Sequence, residues 1–146
     1  MKEYYTGTVK KTVTIKVSKH KVWKKISNIV GLDWLEGQKR TIYLSTKKRD
    51  VGSIRKIFFD NGDIVEEHIV GWKSNEYFSY IAVSGLPLRA YHATISMEQS
   101  GKNSQKITWQ SYFNSEKMTR KEFSDFIKFL SGFYQNSLKN LKSSLE

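Results

Sequence analysis

The chain has 146 residues, no cysteine, one proline and a formal net charge of +11. This length suits one domain spanning residues 1–146, and a domain of this size buries roughly two thirds of its unfolded surface, enough for a core and an internal cavity. Absence of cysteine excludes disulfides, thiolate metal centres and cysteine nucleophiles, and the 38% hydrophobic and 14% aromatic content excludes a disordered chain.

Residues 8–17 alternate β-branched and polar side chains, as a half-buried strand does. Ser18 then caps a predicted short helix from Lys19 to Asn28, with Val22, Trp23, Ile26 and Ile29 at helical spacing. Gly31 ends it, and Leu32-Asp33-Trp34-Leu35 predicts a second short helix. Strands are predicted over 38–45, 51–59, 63–71, 76–84, 91–99 and 105–113. Asp60-Asn61-Gly62-Asp63 and Ser100-Gly101-Lys102-Asn103 supply two of the turns. From Thr119 the period changes. Phe123, Phe126, Ile127, Leu130, Phe133, Tyr134, Leu138, Leu141 and Leu145 recur three or four apart, behind a capping-box start at Thr119-Arg120-Lys121-Glu122. The expected fold is α+β: a curled antiparallel sheet of six to seven strands around one long C-terminal helix, with two short helices after the first strand. A curled sheet around one helix rarely closes completely, and the space left is where a cavity forms.

Several segments, in order, resemble one superfamily. They are Val22-Trp23, Trp34, Val51-Gly52-Ser53-Ile54-Arg55, Asn61-Gly62, Glu67-His68-Ile69, Ser79-Tyr80, Leu86-Pro87-Leu88, Tyr91, Ala93-Thr94-Ile95 and Thr108-Trp109. Together they are similar to the polyketide cyclase/dehydrase-like branch of the SRPBCC superfamily, also called START-like or Bet-v-type. That resemblance implies a helix-grip fold with an internal, mostly apolar cavity. It does not fix a function, because the superfamily includes lipid carriers, hormone receptors, aromatase/cyclases and chaperone cofactors.

The resemblance also implies that Arg55 and Glu67 face the cavity from adjacent strands. The hairpin between them admits two registers. A three-residue loop with Gly62 left-handed sets Arg55 opposite Glu67, whereas a two-residue Asn61-Gly62 loop sets it opposite His68 and turns Glu67 outward. The first is the favoured register. The pair then either anchors a ligand's polar group or serves as a cross-strand ion pair. Trp34, Tyr80, Tyr91, Trp109, Phe126, Phe129, Leu130 and Phe133 form an aromatic set suited either to core packing or to the wall of a pocket for a flat apolar molecule. In the helix-grip arrangement Ile107, Trp109 and Phe113 face inward. Leu86, Leu88 and Arg89, around the only proline, are candidate gate residues, since relatives place a loop there over the cavity mouth. His20, His68 and His92 show no metal-ligand spacing, and no metal or other cofactor is expected.

Three functions follow from these residues. The leading one is binding or carriage of a small hydrophobic or amphipathic ligand, a lipid or an aromatic metabolite. The alternative is a cyclase/dehydratase-type enzyme using a cavity carboxylate (Glu67) or tyrosine (Tyr91) as acid/base. The third is interaction through surface charge. Of 25 basic residues only Arg40, Arg49, Arg55, Arg89 and Arg120 are arginine, and dispersed lysines suit a solvated surface better than specific nucleic-acid readout. Peripheral contact with an anionic membrane needs one contiguous basic face, such as Lys19, Lys21, Lys24, Lys25, Lys39 and Arg40. The first seven residues carry no apolar stretch typical of a secretory signal, so a soluble cytoplasmic protein is expected.

Overall fold

The computed structural model describes residues 3–146. Seven strands form one antiparallel sheet in the order β1-β7-β6-β5-β4-β3-β2. They are β1 (Tyr5–Ile15), β2 (Gln38–Tyr43), β3 (Ile54–Phe59), β4 (Ile64–Lys73), β5 (Tyr77–Ser84), β6 (Ala90–Gly101) and β7 (Ser104–Ser115). Between β1 and β2 lies α1 (Lys19–Ile26), and the chain ends in α2 (Arg120–Leu145). The architecture is the expected helix grip.

Alternation along the strands sets the inner face. Tyr91, Ala93, Ile95 and Met97 of β6, and Ile107, Trp109 and Phe113 of β7, are buried beneath α2, while His92 between them is exposed. The sheet curls partly through bulges. On β4 and β5 the pairing shifts between Glu66 and Glu67 and again between Ile69 and Gly71. Such two-against-one steps sharpen local twist. The second also switches parity: Val65, Glu67 and Ile69 point inward, Val70 is exposed, and Trp72 then stacks on the buried Phe78.

Ser18 caps α1 by accepting from the Lys21 N–H. The second expected short helix does not form. Residues 32–38 make consecutive turns instead, with Leu35 N–H donating to Leu32 O and Gln38 N–H to Leu35 O, both at 3.1 Å. Leu32, Trp34 and Leu35 are all buried there, and burying residues so closely spaced requires a chain that turns around them rather than one amphipathic helical face.

Helix α2 begins with the expected capping box: Glu122 N–H donates to Thr119 Oγ1 at 3.1 Å, and Thr119 N–H to Glu122 Oε1 at 2.8 Å. Its buried face carries Phe123, Phe126, Leu130, Tyr134, Ser137, Leu138 and Leu141. Polar tethers join its second half to the body: Glu36 N–H donates to Ser137 Oγ, Asn140 Nδ2 to Trp34 O, and Lys142 Nζ to Thr14 O. No described helix is long and apolar enough to cross a membrane.

Candidate functional site

The β3–β4 hairpin decides which charged groups enter the interior. Phe59 N–H donates to Asp63 O at 2.9 Å, and Gly62 N–H to Phe59 O at 3.0 Å, closing a three-residue loop. Gly62 has φ +95°, the left-handed conformation such a loop requires at that point. Arg55 therefore pairs across the strands with Glu67, and His68 pairs with Ile54. His68 is half-exposed and bonded to Glu66.

Arg55 and Glu67 are only 3% and 6% exposed. Arg55 Nε and Nη2 lie 2.9 and 2.8 Å from the same oxygen, Glu67 Oε1, while Nη1 donates to Ile29 O at 2.9 Å. The guanidinium also sits 4.9 Å from the Tyr80 ring centroid, a cation–π contact. Burial pushes the Glu67 carboxyl above the usual carboxylate range, and Arg55 opposes that shift without cancelling it. A group so placed is easier to protonate than an exposed glutamate.

Next to this pair lies a network of aromatic hydroxyl and indole groups. Trp109 Nε1 donates to Tyr80 Oη at 3.0 Å, which leaves the Tyr80 O–H free to donate elsewhere. The hydroxyls of Tyr91 and Tyr134 bond to each other across the sheet–helix gap, and Trp109 stacks on Tyr134 with centroids 3.8 Å apart. Burial raises Tyr80, Tyr91 and Tyr134 above the ordinary tyrosine value, with the Glu67 charge adding to each. All three stay neutral near pH 7.

These groups close the inner end of a cavity of about 550 Å³. Of the pocket and gate residues singled out from sequence, its walls include Trp34, Arg55, Glu67, Tyr80, Leu86, Tyr91, Trp109, Phe126, Phe129, Leu130 and Phe133. Leu88 is not among them. It lines a separate depression with Met118 and Glu122, because Arg89 N–H donates to Asn114 O and draws the loop onto β7. Arg89 is likewise away from the mouth, its guanidinium lying over Tyr4. Leu86 stays at the cavity because Gly85, at φ +99°, lies against Ile64 and Val65, where any Cβ would overlap the Ile64 carbonyl.

Other wall residues were not singled out as site residues, notably Leu32, Phe59, Val65 and Ile95, with Glu36, Asp60, Asp63 and Lys128 at the exposed end. The alternation of β3, β4 and β6 was sufficient to assign Phe59, Val65 and Ile95 to the inner face. Glu36, Asp60 and Asp63 lie in turns, where no periodicity marks a direction.

A seven-stranded sheet gripping a long helix over an apolar cavity places the protein among the Bet-v-type, START-like folds. Residues 6–146 match the family described as polyketide cyclase / dehydrase and lipid transport, and the chain belongs to that family. No curated protein sequence matches it significantly. Among solved structures, it is similar to an uncharacterised protein from Bacillus thuringiensis, with 22% identity and a TM-score of 0.81, covering 95% of this chain and 98% of that one. XoxI from Bacillus cereus gives 23% identity and a TM-score of 0.76, covering 97% and 94%. Norcoclaurine synthase from Thalictrum flavum, solved in complex with dopamine and hydroxybenzaldehyde, gives 17% and 0.72, covering 96% and 86%. These likenesses are likenesses of fold.

Proposed function

We propose that the protein binds or carries a small hydrophobic or amphipathic molecule, a lipid or an aromatic metabolite, within this cavity. One observation carries the reading: a cavity of about 550 Å³ has aromatic and aliphatic walls and a single buried ion pair at its inner end. Apolar burial supplies affinity at roughly 25 cal/mol per Å². Arg55, Glu67 and Tyr80 supply orientation, because each places a polar atom at an otherwise apolar wall. The lysines serve as a solvated surface of a cytoplasmic protein that takes no specific nucleic acid. The test is a thermal-shift screen against fatty acids and polyaromatic compounds. Hits that disappear when Leu130→Trp fills the cavity support the reading, and a screen silent for every class overturns it.

A second reading is a cyclase or dehydratase. It is favoured by the buried Glu67 carboxyl, held above the usual carboxylate range and so easier to protonate, beside Tyr80 and Tyr91 hydroxyls that stay neutral and can donate hydrogen bonds. The structural likeness to norcoclaurine synthase, which holds two aromatic molecules, makes such chemistry worth assaying. Loss of turnover in Glu67→Gln at unchanged ligand affinity would separate catalysis from carriage.

A further inference from the structure

We propose that the cavity selects a cationic amphiphile, one whose apolar body fills the interior and whose ammonium group stays at the mouth. This inference rests on the binding reading above and names the ligand class for the same site. The chain as a whole carries 25 basic and 14 acidic residues, yet the cavity reverses that balance. Its lining has four carboxylates, Glu36, Asp60, Asp63 and Glu67, against two cations, Arg55 and Lys128. Arg55 and Glu67 neutralise each other inside. Three carboxylates and one lysine remain at the exposed end.

None of these three carboxylates forms an ion pair among the described residues. Glu36 accepts from Asn136 Nδ2 and Asp63 from Asn61 Nδ2, both neutral amides that leave the negative charge uncompensated. Asp60 N–H donates to Gly37 O at 2.8 Å, which holds the hairpin loop beside the turn that carries Glu36. The acidic groups thus come from two chain segments drawn together by the fold.

Two independent features point to what they meet. Phe129 lines the same cavity yet is 65% exposed, packed beside Phe126 and Phe133. An exposed aromatic ring lining the same opening as the carboxylates is the chemistry that holds an ammonium group. Inside, Arg55 engages only Glu67 Oε1, and Oε2 has no hydrogen bond among the described residues. The nine-tenths-buried carboxylate therefore keeps an acceptor for a donor on the ligand body.

The net charge of +11 does not cancel this preference. Screening acts over about 8 Å at physiological salt, so distant lysines count little for a bound ligand while rim carboxylates act at contact. Each exposed pair contributes less than a factor of ten, and three carboxylates with one aromatic face sum to about tenfold.

The test compares probes with matched bodies and different head groups: naphthylethylamine, naphthylethanol and naphthylpropionate, with dodecylamine, dodecanol and laurate as a second series. Dissociation constants are measured at about 0.15 M salt and neutral pH. The amine should bind about tenfold tighter than the carboxylate, with the alcohol between them, in whichever series binds. Asp60→Asn combined with Asp63→Asn should cut that ratio to about threefold, since Glu36 and Phe129 remain. Equal binding by all three head groups, tighter binding by the carboxylate, or a ratio unmoved by the double substitution overturns the cation preference and leaves cavity binding standing. If neither series binds and the fatty-acid and polyaromatic screen is also silent, both readings fall.

Discussion

Removing the Arg55 side chain should destabilise the protein strongly near neutral pH and much less in mild acid. In Arg55→Met, the nearly buried Glu67 loses the guanidinium that holds its Oε1 at 2.8–2.9 Å. Ionised and unpaired in the interior, it takes up a proton instead. Keeping an ordinary carboxyl of pKa near 4.3 protonated costs about 1.4 kcal/mol per pH unit, hence up to about 3.7 kcal/mol at pH 7 and about 1 kcal/mol at pH 5. The Ile29 carbonyl also loses its donor, adding about 1 kcal/mol at either pH. The sign follows from a folded-state pKa raised above the unfolded one: the stability this group contributes is full below pH ~4.3 and is lost as pH rises through the folded value. Glu67 in the parent protein already leans this way, since burial outweighs Arg55. Glu67→Gln keeps the shape and an acceptor, but it leaves the buried Arg55 guanidinium, which cannot shed its proton, without a counter-charge, and should cost about 3–5 kcal/mol at pH 7. Urea unfolding followed by tryptophan fluorescence at pH 5 and pH 7 measures both. An Arg55→Met loss equal at the two pH values would refute the reasoning, because the cost would then not lie in the Glu67 proton.

Four further substitutions probe the frame around the site. Thr119→Ala removes the side-chain half of the α2 capping box and should lower unfolding stability by about 1 kcal/mol in the same urea assay. Gly62→Ala and Gly85→Ala form a matched pair, both at left-handed φ. A Cβ at Gly62 meets nothing within 4 Å, so only backbone strain of about 1 kcal/mol is expected; at Gly85 the Cβ overlaps the Ile64 carbonyl, and calorimetry should show a clearly larger loss. Tyr134→Phe leaves Tyr91 without its hydroxyl partner and should cost about 1–2 kcal/mol by thermal or urea unfolding while the fold is retained.

How far the sequence carries depends on whether an interaction is local. Alternation in β6 and β7 and the 3.6-residue period of α2 are local, and they place Tyr91, Trp109, Phe126 and Leu130 on the wall correctly. The hairpin register rests on a single local choice, and Gly62 decides it by accepting a left-handed turn. Bulges leave no such trace: nothing in Val70 itself announces that it will be skipped, because the skip arises from fitting a curled sheet around α2. Leu86 and Leu88 flank the same proline, yet only Leu86 reaches the cavity, since Arg89 is captured by Asn114 on a strand 25 residues away. Tyr134 shows the same limit. Its spacing assigns it to the buried stripe, but the hydroxyl's partner, Tyr91, becomes visible only when helix and sheet are assembled.

The polar tethers of α2 give the helix a mechanical asymmetry. Tyr134, Asn136, Ser137, Asn140 and Lys142 bond to β6, to the turns before β2 and to β1, whereas Phe126, Phe129 and Phe133 touch the cavity through side-chain packing alone. The helix therefore behaves as a beam clamped along its second half, with the aromatic span free to flex. Because packing alone yields at lower cost than packing reinforced by a set of hydrogen bonds, small outward bending of that span is the inexpensive way to widen the opening. Ligand exchange would then be timed by the stiffness of about two helical turns, and amide hydrogens before Tyr134 should exchange faster than those after it.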